Sequence, residues 1–151
     1  MNDKMNAKVI LLAEDDPDDI YLISEAIVEC GLDTRLFVVE NGEELLDYCY
    51  QRNKYQDPEL SPRPDLILLD LNMPLKDGRE ALEEIKRDAK LRLIPIVVLT
   101  TSKSDEDLQS TYELGASGFI TKPPSFSSLR ETICKIGSYW FTTVQLPDEQ
   151  Q

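Results

Sequence analysis

Five short apolar runs punctuate the chain, and between them apolar residues return at helical spacing. Val9 to Ala13 ends in Glu14-Asp15-Asp16, Arg35 to Val39 gives way to Asn41-Gly42, and Leu66 to Leu69 runs straight into Asp70. Ile94 to Leu99 ends in Thr100-Thr101-Ser102, and Phe119 to Thr121 is followed by Lys122-Pro123-Pro124. Runs of this length bounded by turn residues predict strands, and the unbroken aliphatic ones suit strands covered on both faces. Pro95 is tolerable because it stands at the start of its strand, and Pro74 stops the third strand from continuing.

Leu22, Ile23, Ala26 and Ile27 predict a first helix over Ile20 to Cys30, opened by Pro17 and stopped by Gly31. Leu45, Leu46, Cys49 and Tyr50 form the stripe of a second, and Ala81, Leu82 and Ile85, after Gly78, that of a third. Asp105 to Leu114 predicts a polar fourth helix with a thin stripe, Leu108 with Tyr112 or Leu114; Leu129, Ile133 and Ile136 make a fifth, capped by Ser125 or Ser127. The segment Asn53 to Pro64 carries Pro58, Pro62 and Pro64 and reads as an exposed loop. Strands alternating with helices predict an α/β fold, a doubly wound five-stranded parallel sheet with helices on both faces.

In such a sheet the strand ends share one edge, where open α/β folds bind their ligands. That edge gathers Glu14, Asp15, Asp70, Thr100 and Lys122. Carboxylates brought this close repel, by about 4 kcal/mol for two unit charges at about 4 Å and an effective dielectric near 20. The cluster therefore calls for a divalent cation, and oxygen-only donors point to magnesium (Mg2+). A carboxylate half-neutralised by magnesium, beside an ammonium and a hydroxyl, is suited to receiving a phosphoryl group. Read singly, Asp15, Asp16, Asp18 and Asp19 are acids at a helix N-terminus and Lys122 is a surface lysine; their arrival at successive strand ends favours the site.

Composition narrows the rest. At 151 residues, 41% hydrophobic and 30% charged, the chain is most simply one domain with a core of its own. A net charge of −13 argues against nucleic acid and anionic membrane surfaces as partners. No apolar run reaches the roughly 18 to 20 residues needed to span a bilayer, and the polar start Met1 to Ala7 has no signal-peptide core. Cys30, Cys49 and Cys134 lack CxxC spacing and are expected to be reduced thiols of a cytoplasmic protein. The chain contains no histidine, which removes histidine bases, histidine metal ligands and a phosphohistidine of its own.

Glu14-Asp15, the run Asp70-Leu71-Asn72-Met73-Pro74 with Asp77-Gly78, Thr100, and the segment Gly115 to Pro123 together resemble the receiver domain of two-component response regulators. The likeness covers nearly the whole chain. It implies the flavodoxin-like receiver fold with strand order 2-1-3-4-5, a receiver at residues 1–138, and a C-terminal extension at 139–151 too short to be a separate output domain. It implies Asp70 as the phosphoacceptor, with Glu14, Asp15 and the backbone carbonyl of Asn72 holding magnesium. Thr100 and Lys122 would contact the phosphoryl group, Thr100 and Phe119 would form the switch, and the bond before Pro123 would be cis.

Within that family the chain is similar to the small response regulators of cyanobacterial and bacterial phytochromes. The likeness is carried by Ser61-Pro62-Arg63-Pro64, Lys76-Asp77-Gly78-Arg79-Glu80, Leu99-Thr100-Thr101-Ser102 and the ending Tyr139 to Pro147. The implied partner is a sensor histidine kinase, a phytochrome. Thr101 stands where many receivers carry Ala or Gly, Phe119 lacks the hydroxyl of a tyrosine, and Pro124 replaces a bulky residue. Tyr139, Trp140, Phe141, Val144 and Leu146 leave two readings open, a tail folded on its own domain or a homodimer seam. Two other functional readings compete: a magnesium-dependent phosphohydrolase using Asp70 as nucleophile, disfavoured by Asn72 where a second acid is needed, and a phosphorylation-independent pseudo-receiver.

Overall fold

The chain alternates strand and helix throughout, as the computed structural model shows for residues 7–147. The polar start at residues 1–6 and the last residues of the extension, 148–151, lie outside the described residues. The strands are β1 (Lys8–Ala13), β2 (Thr34–Val39), β3 (Leu66–Leu69), β4 (Ile96–Thr100) and β5 (Gly118–Thr121). The helices between and after them are α1 (Pro17–Glu29), α2 (Gly42–Cys49), α3 (Gly78–Arg87), α4 (Asp105–Glu113) and α5 (Phe126–Ser138).

All strand pairs are parallel, in the order β2-β1-β3-β4-β5. The most aliphatic runs take the middle: β3 and β4 are buried along their whole length, whereas β2 and β5 at the edges are mostly half-buried. Side-chain alternation splits the core in two. Leu11, Ile67, Leu69 and Val98 face α2 and α3, where Leu45, Leu46, Leu82 and Ile85 cover them. Ile10, Leu12, Leu68 and Leu99 face α1 and α5, against Ile23, Ile27, Leu129 and Ile133. Each helix begins just past a strand end and is capped by a side-chain oxygen, from Asp16, Asn41, Asp77, Ser104 and Ser125 in turn. These caps bring the five helix starts to the edge where the strands finish.

Several details depart from the sequence pattern. Tyr50 is the exposed C-cap of α2 rather than part of its stripe. Ile94 closes a short 3-10 turn (Leu91–Leu93), so β4 starts only after Pro95, which has no N–H to give the ladder. The loop over Asn53 to Pro64 is pinned to α2, with Tyr48 Oη donating to the Pro62 carbonyl at 2.8 Å and Gln51 Nε2 to that of Ser61 at 3.1 Å. In α4 the expected stripe is divided: Leu108 is 39% exposed and Tyr112 50%, whereas Leu114, at the C-cap, packs half-buried on the first core and Thr111 is the buried residue within the helix. The bond between Lys122 and Pro123, expected to be cis, is trans, as are all peptide bonds among the described residues; trans is the isomer favoured before proline by about 0.5–1 kcal/mol.

The expectation of three reduced thiols is also corrected. Cys30, which caps α1, and Cys134 on α5 form a disulfide with Cα atoms 5.4 Å apart, and Cys49 stays a buried free thiol. The two cysteines meet because α1 and α5 pack side by side on one face, across a sequence separation of 104 residues. A tether of that span restricts the unfolded chain strongly. Beyond α5 a single π turn (Tyr139–Thr143) carries Trp140 and Phe141 against the second core, while Tyr139 stays half exposed. No described helix is long and apolar enough to cross a membrane. Cys134→Ser is expected to lower unfolding stability by roughly 2–4 kcal/mol, and urea titration of the wild type with reductant should reproduce that loss.

Candidate functional site

Ladder bonds that continue past the strand ends place the polar residues. Glu14 N donates to the Val39 carbonyl at 2.9 Å, Asp70 N to Ala13 at 3.0 Å, and Lys122 N to Thr100 at 2.7 Å. Each residue is thus held in register with a neighbouring strand rather than left on a free loop. Gly78 lets α3 start directly beneath: a Cβ there would lie 2.6 Å from the Asp70 carbonyl oxygen and 2.9 Å from Leu71 Cα, inside van der Waals contact.

The carboxylates of Glu14, Asp15 and Asp70 offer oxygens that all lie within 4.8 Å of one another. Glu14 is 1% exposed and Asp70 7%, whereas Asp15 is open to solvent. Lys122 reaches into this group, its Nζ donating to Glu14 Oε1 at 2.5 Å and Asp19 Oδ2 at 2.6 Å and lying 3.7 Å from Asp70 Oδ2. Thr100 is fully buried beside it, with Oγ1 accepting from Ser102 N at 3.3 Å. Asn72 is exposed, and its N–H points to Asp70 Oδ1 at 3.5 Å.

Burial raises the Glu14 pKa to about 7, the Lys122 hydrogen bond opposes that rise, and the Asp70 charge adds to it. Burial pulls the Lys122 ammonium down, but its bonds to Asp19 and Glu14 outweigh that and the net shift is upward. The ammonium stays charged and serves as the site's internal counter-ion. Three carboxylates with no nitrogen or sulfur donor fit a hard, oxygen-preferring divalent cation. The same edge offers a nucleophilic oxygen on Asp70, an ammonium and a hydroxyl, the set a transferring phosphoryl group requires.

The expected site residues divide by position. Glu14, Asp15, Asp70, Thr100 and Lys122 come together at one edge. Phe119 lies on the edge strand β5, paired with Val98 and packed half-buried against the first core. Tyr139, Trp140, Phe141 and Leu146 lie away from the site, the last three lining a groove with Lys8, Asp65 and Pro95 at the other end of the strands. Asp19, one of four acids in the segment 15–19, was not distinguished by the sequence, because nothing local marks which of them faces Lys122.

A parallel sheet in this order with an acidic, lysine-gated edge is the architecture of a phosphoryl-receiving signalling domain. The family model for the response regulator receiver domain matches residues 10–134, and the chain belongs to that family. Response regulator Rcp1 of Synechocystis sp. is 42% identical over 148 residues, spanning 97% of this chain and 99% of its own. The crystal structure of the phosphorylated cyanobacterial phytochrome response regulator RcpA superposes with a TM-score of 0.88 at 42% identity, covering 94% of this chain and 99% of its own. The Mn2+-bound form of Rcp1 gives 0.85 at 42% identity, with 93% and 99% covered.

The raised Glu14 pKa predicts that cation binding at this cluster depends on pH. Its folded value of about 7 stands above the ordinary 4.5, so the metal-free fold is stabilised by this group in its protonated form and loses that contribution as pH rises from about 4.5 through 7. A cation must displace the proton. Apparent Mg2+ or Mn2+ affinity, measured by calorimetry, is therefore expected to fall about tenfold from pH 8 to pH 6, and Glu14→Gln should flatten that dependence.

Proposed function

We propose that Asp70 accepts a phosphoryl group from a sensor histidine kinase. The observation that carries this is the carboxylate triad of Glu14, Asp15 and Asp70 with Lys122 Nζ 3.7 Å from the Asp70 oxygen. With no histidine in these 151 residues, a phosphohistidine donor lies outside them. An Asp70 oxygen attacks its phosphorus, the P–N bond breaks, and the leaving imidazole retains the electron pair. Glu14, Asp15, Asp70 and the Asn72 carbonyl would hold the cation, taken to be Mg2+, which when bound would supply positive charge to the phosphoryl oxygens. Lys122 turns from Asp19 toward a second oxygen, and the Thr100 hydroxyl donates to a third. Adding up to two negative charges beside Glu14 and Asp15 makes both movements favourable. Phe119, on the adjacent strand and paired with Val98 two residues before Thr100, follows as the aromatic part of the switch.

The kinase is proposed to be a phytochrome, on the strength of the likeness to RcpA and to RPA3017, a response regulator in red light signaling of R. palustris with a TM-score of 0.88 at 32% identity. Residues 1–138 serve as the receiver and 139–151 as an extension of it, in the cytoplasm with the kinase. A reducing compartment would open the Cys30–Cys134 bridge there. Homodimerisation is proposed through the exposed ring of Tyr139, Trp140 and Phe141 being tied into the core.

Incubation with Mg2+ and acetyl phosphate is expected to add one phosphoryl group by intact mass. Asp70→Asn should abolish the gain and Lys122→Ala slow it at least about tenfold, the loss of one charge-stabilising contact; catalytic turnover of assorted phosphoesters would replace this reading with a hydrolase. Tyr139→Ser is expected to shift any dimer toward monomer by light scattering, and an unchanged mass would remove Tyr139 from the interface.

A further inference from the structure

Helix α4 has almost no apolar anchor. Leu108 and Tyr112 face solvent, and its buried side chain, Thr111, spends its hydroxyl on the helix's own Asp107 carbonyl at 2.8 Å. Its C-cap, Leu114, packs half-buried on the first core, and what ties its first turn to the body is ionic. Arg79, in the first turn of α3, grips Asp107 with two nitrogens, Nε to Oδ1 at 3.0 Å and Nη2 to Oδ2 at 2.8 Å. Its remaining nitrogen, Nη1, holds Asp77, the N-cap of α3, at 3.0 Å. A cation at a helix N-terminus opposes the helix dipole, so Arg79 is placed for these partners rather than for its own helix.

Asp107 sits three residues past the Ser104 cap, where an acid ordinarily reaches back to the cap N–H. Here Ser102 Oγ takes that N–H at 3.3 Å and itself donates to Asp107 Oδ2 at 2.6 Å. Ser102 N in turn donates to Thr100 Oγ1. An unbroken path therefore runs from the Thr100 hydroxyl through Ser102 and Asp107 to Arg79 on α3. The Ser102 hydroxyl and the Arg79 guanidinium both hold the Asp107 carboxyl below its usual pKa, so the pair is ionised at neutral pH.

We propose that the Arg79–Asp107 ion pair is the latch that fixes α4 in the unphosphorylated arrangement, with Ser102 as the link that couples it to Thr100. The proposal rests on the reading of Asp70 as phosphoacceptor. When the Thr100 hydroxyl turns to a phosphoryl oxygen, Ser102 N loses its acceptor and the Ser102–Asp107 segment is free to shift. A two-state element of this kind responds to weakening of either contact by a population shift toward the released form. Arg79 and Asp107 are positioning residues: neither reaches Asp70.

The test uses Arg79→Gln, Asp107→Asn and the double variant. In the unphosphorylated protein, hydrogen exchange over residues 105–113 is expected to accelerate about threefold to tenfold in each single variant, with exchange in β1 and β3 unchanged. The initial rate of phosphorylation by acetyl phosphate should rise by a similar factor, and the double variant should exceed neither single. Arg79→Lys, which keeps charge but loses the fork, should fall between wild type and Arg79→Gln. Unaltered exchange in α4, faster exchange spread evenly over the whole sheet, an unchanged phosphorylation rate, or additive effects in the double variant would each overturn the latch. Wild-type protein that takes up no phosphoryl group would instead remove the Asp70 reading, and the switching role with it, while the α4 exchange data report independently on the ion pair.

Discussion

Three carboxylates within 4.8 Å of one another at the end of a sheet are a repulsive arrangement, and the rest of the structure is shaped by holding them there. The central strands supply the force: β3 and β4 are buried throughout, and ladder bonds carry past their ends to seat Asp70 and Lys122. The Lys122 ammonium offsets part of the repulsion from within. Its two short partners are Glu14 and Asp19, and of the three acids facing it Asp70, at 3.7 Å, is held least tightly. A nucleophilic carboxylate that is near positive charge but not tied to it is suited to attack an incoming phosphorus.

The two sides of the site are built by different forces. Helices α1 and α5 bury aliphatic side chains in one continuous core and are further joined by the Cys30–Cys134 bridge. Helix α4 meets the core at its C-cap, Leu114, while its first turn is held by the Arg79 fork and hydroxyl contacts, which are directional and partly exposed to solvent. Dispersion and hydrophobic burial resist displacement evenly, whereas an ion pair is released when one partner is drawn elsewhere. The fold thus joins α1 and α5 through a continuous core and holds the first turn of α4, beside Thr100, by directional polar contacts.

Much of this was legible along the chain because it depends on neighbours in sequence. Runs such as Leu66 to Leu69 and Val9 to Ala13 specify buried strands by their own composition, and the caps at Asp16, Asn41, Asp77, Ser104 and Ser125 are local chemistry. Parallel pairing then brings the strand ends to one edge, so the grouping of Glu14, Asp15, Asp70, Thr100 and Lys122 follows from the strand pattern. The stripe of α4 holds only at its end, where Leu114 meets the first core; Leu108 and Tyr112 share a helical face, but periodicity does not say whether a surface lies opposite it.

The amino-acid sequence by itself determined the order of elements, the parallel sheet and which residue types reach its edge, since each follows from backbone preference and short-range pattern. Tertiary structure alone decided the pairings between distant segments. Cys30 finds Cys134, Asp19 is selected from four neighbouring acids to hold Lys122, and Arg79 reaches across to Asp107. None of these contacts leaves a local trace, because each depends on how two helices pack against a common sheet, and that packing is set by the whole core.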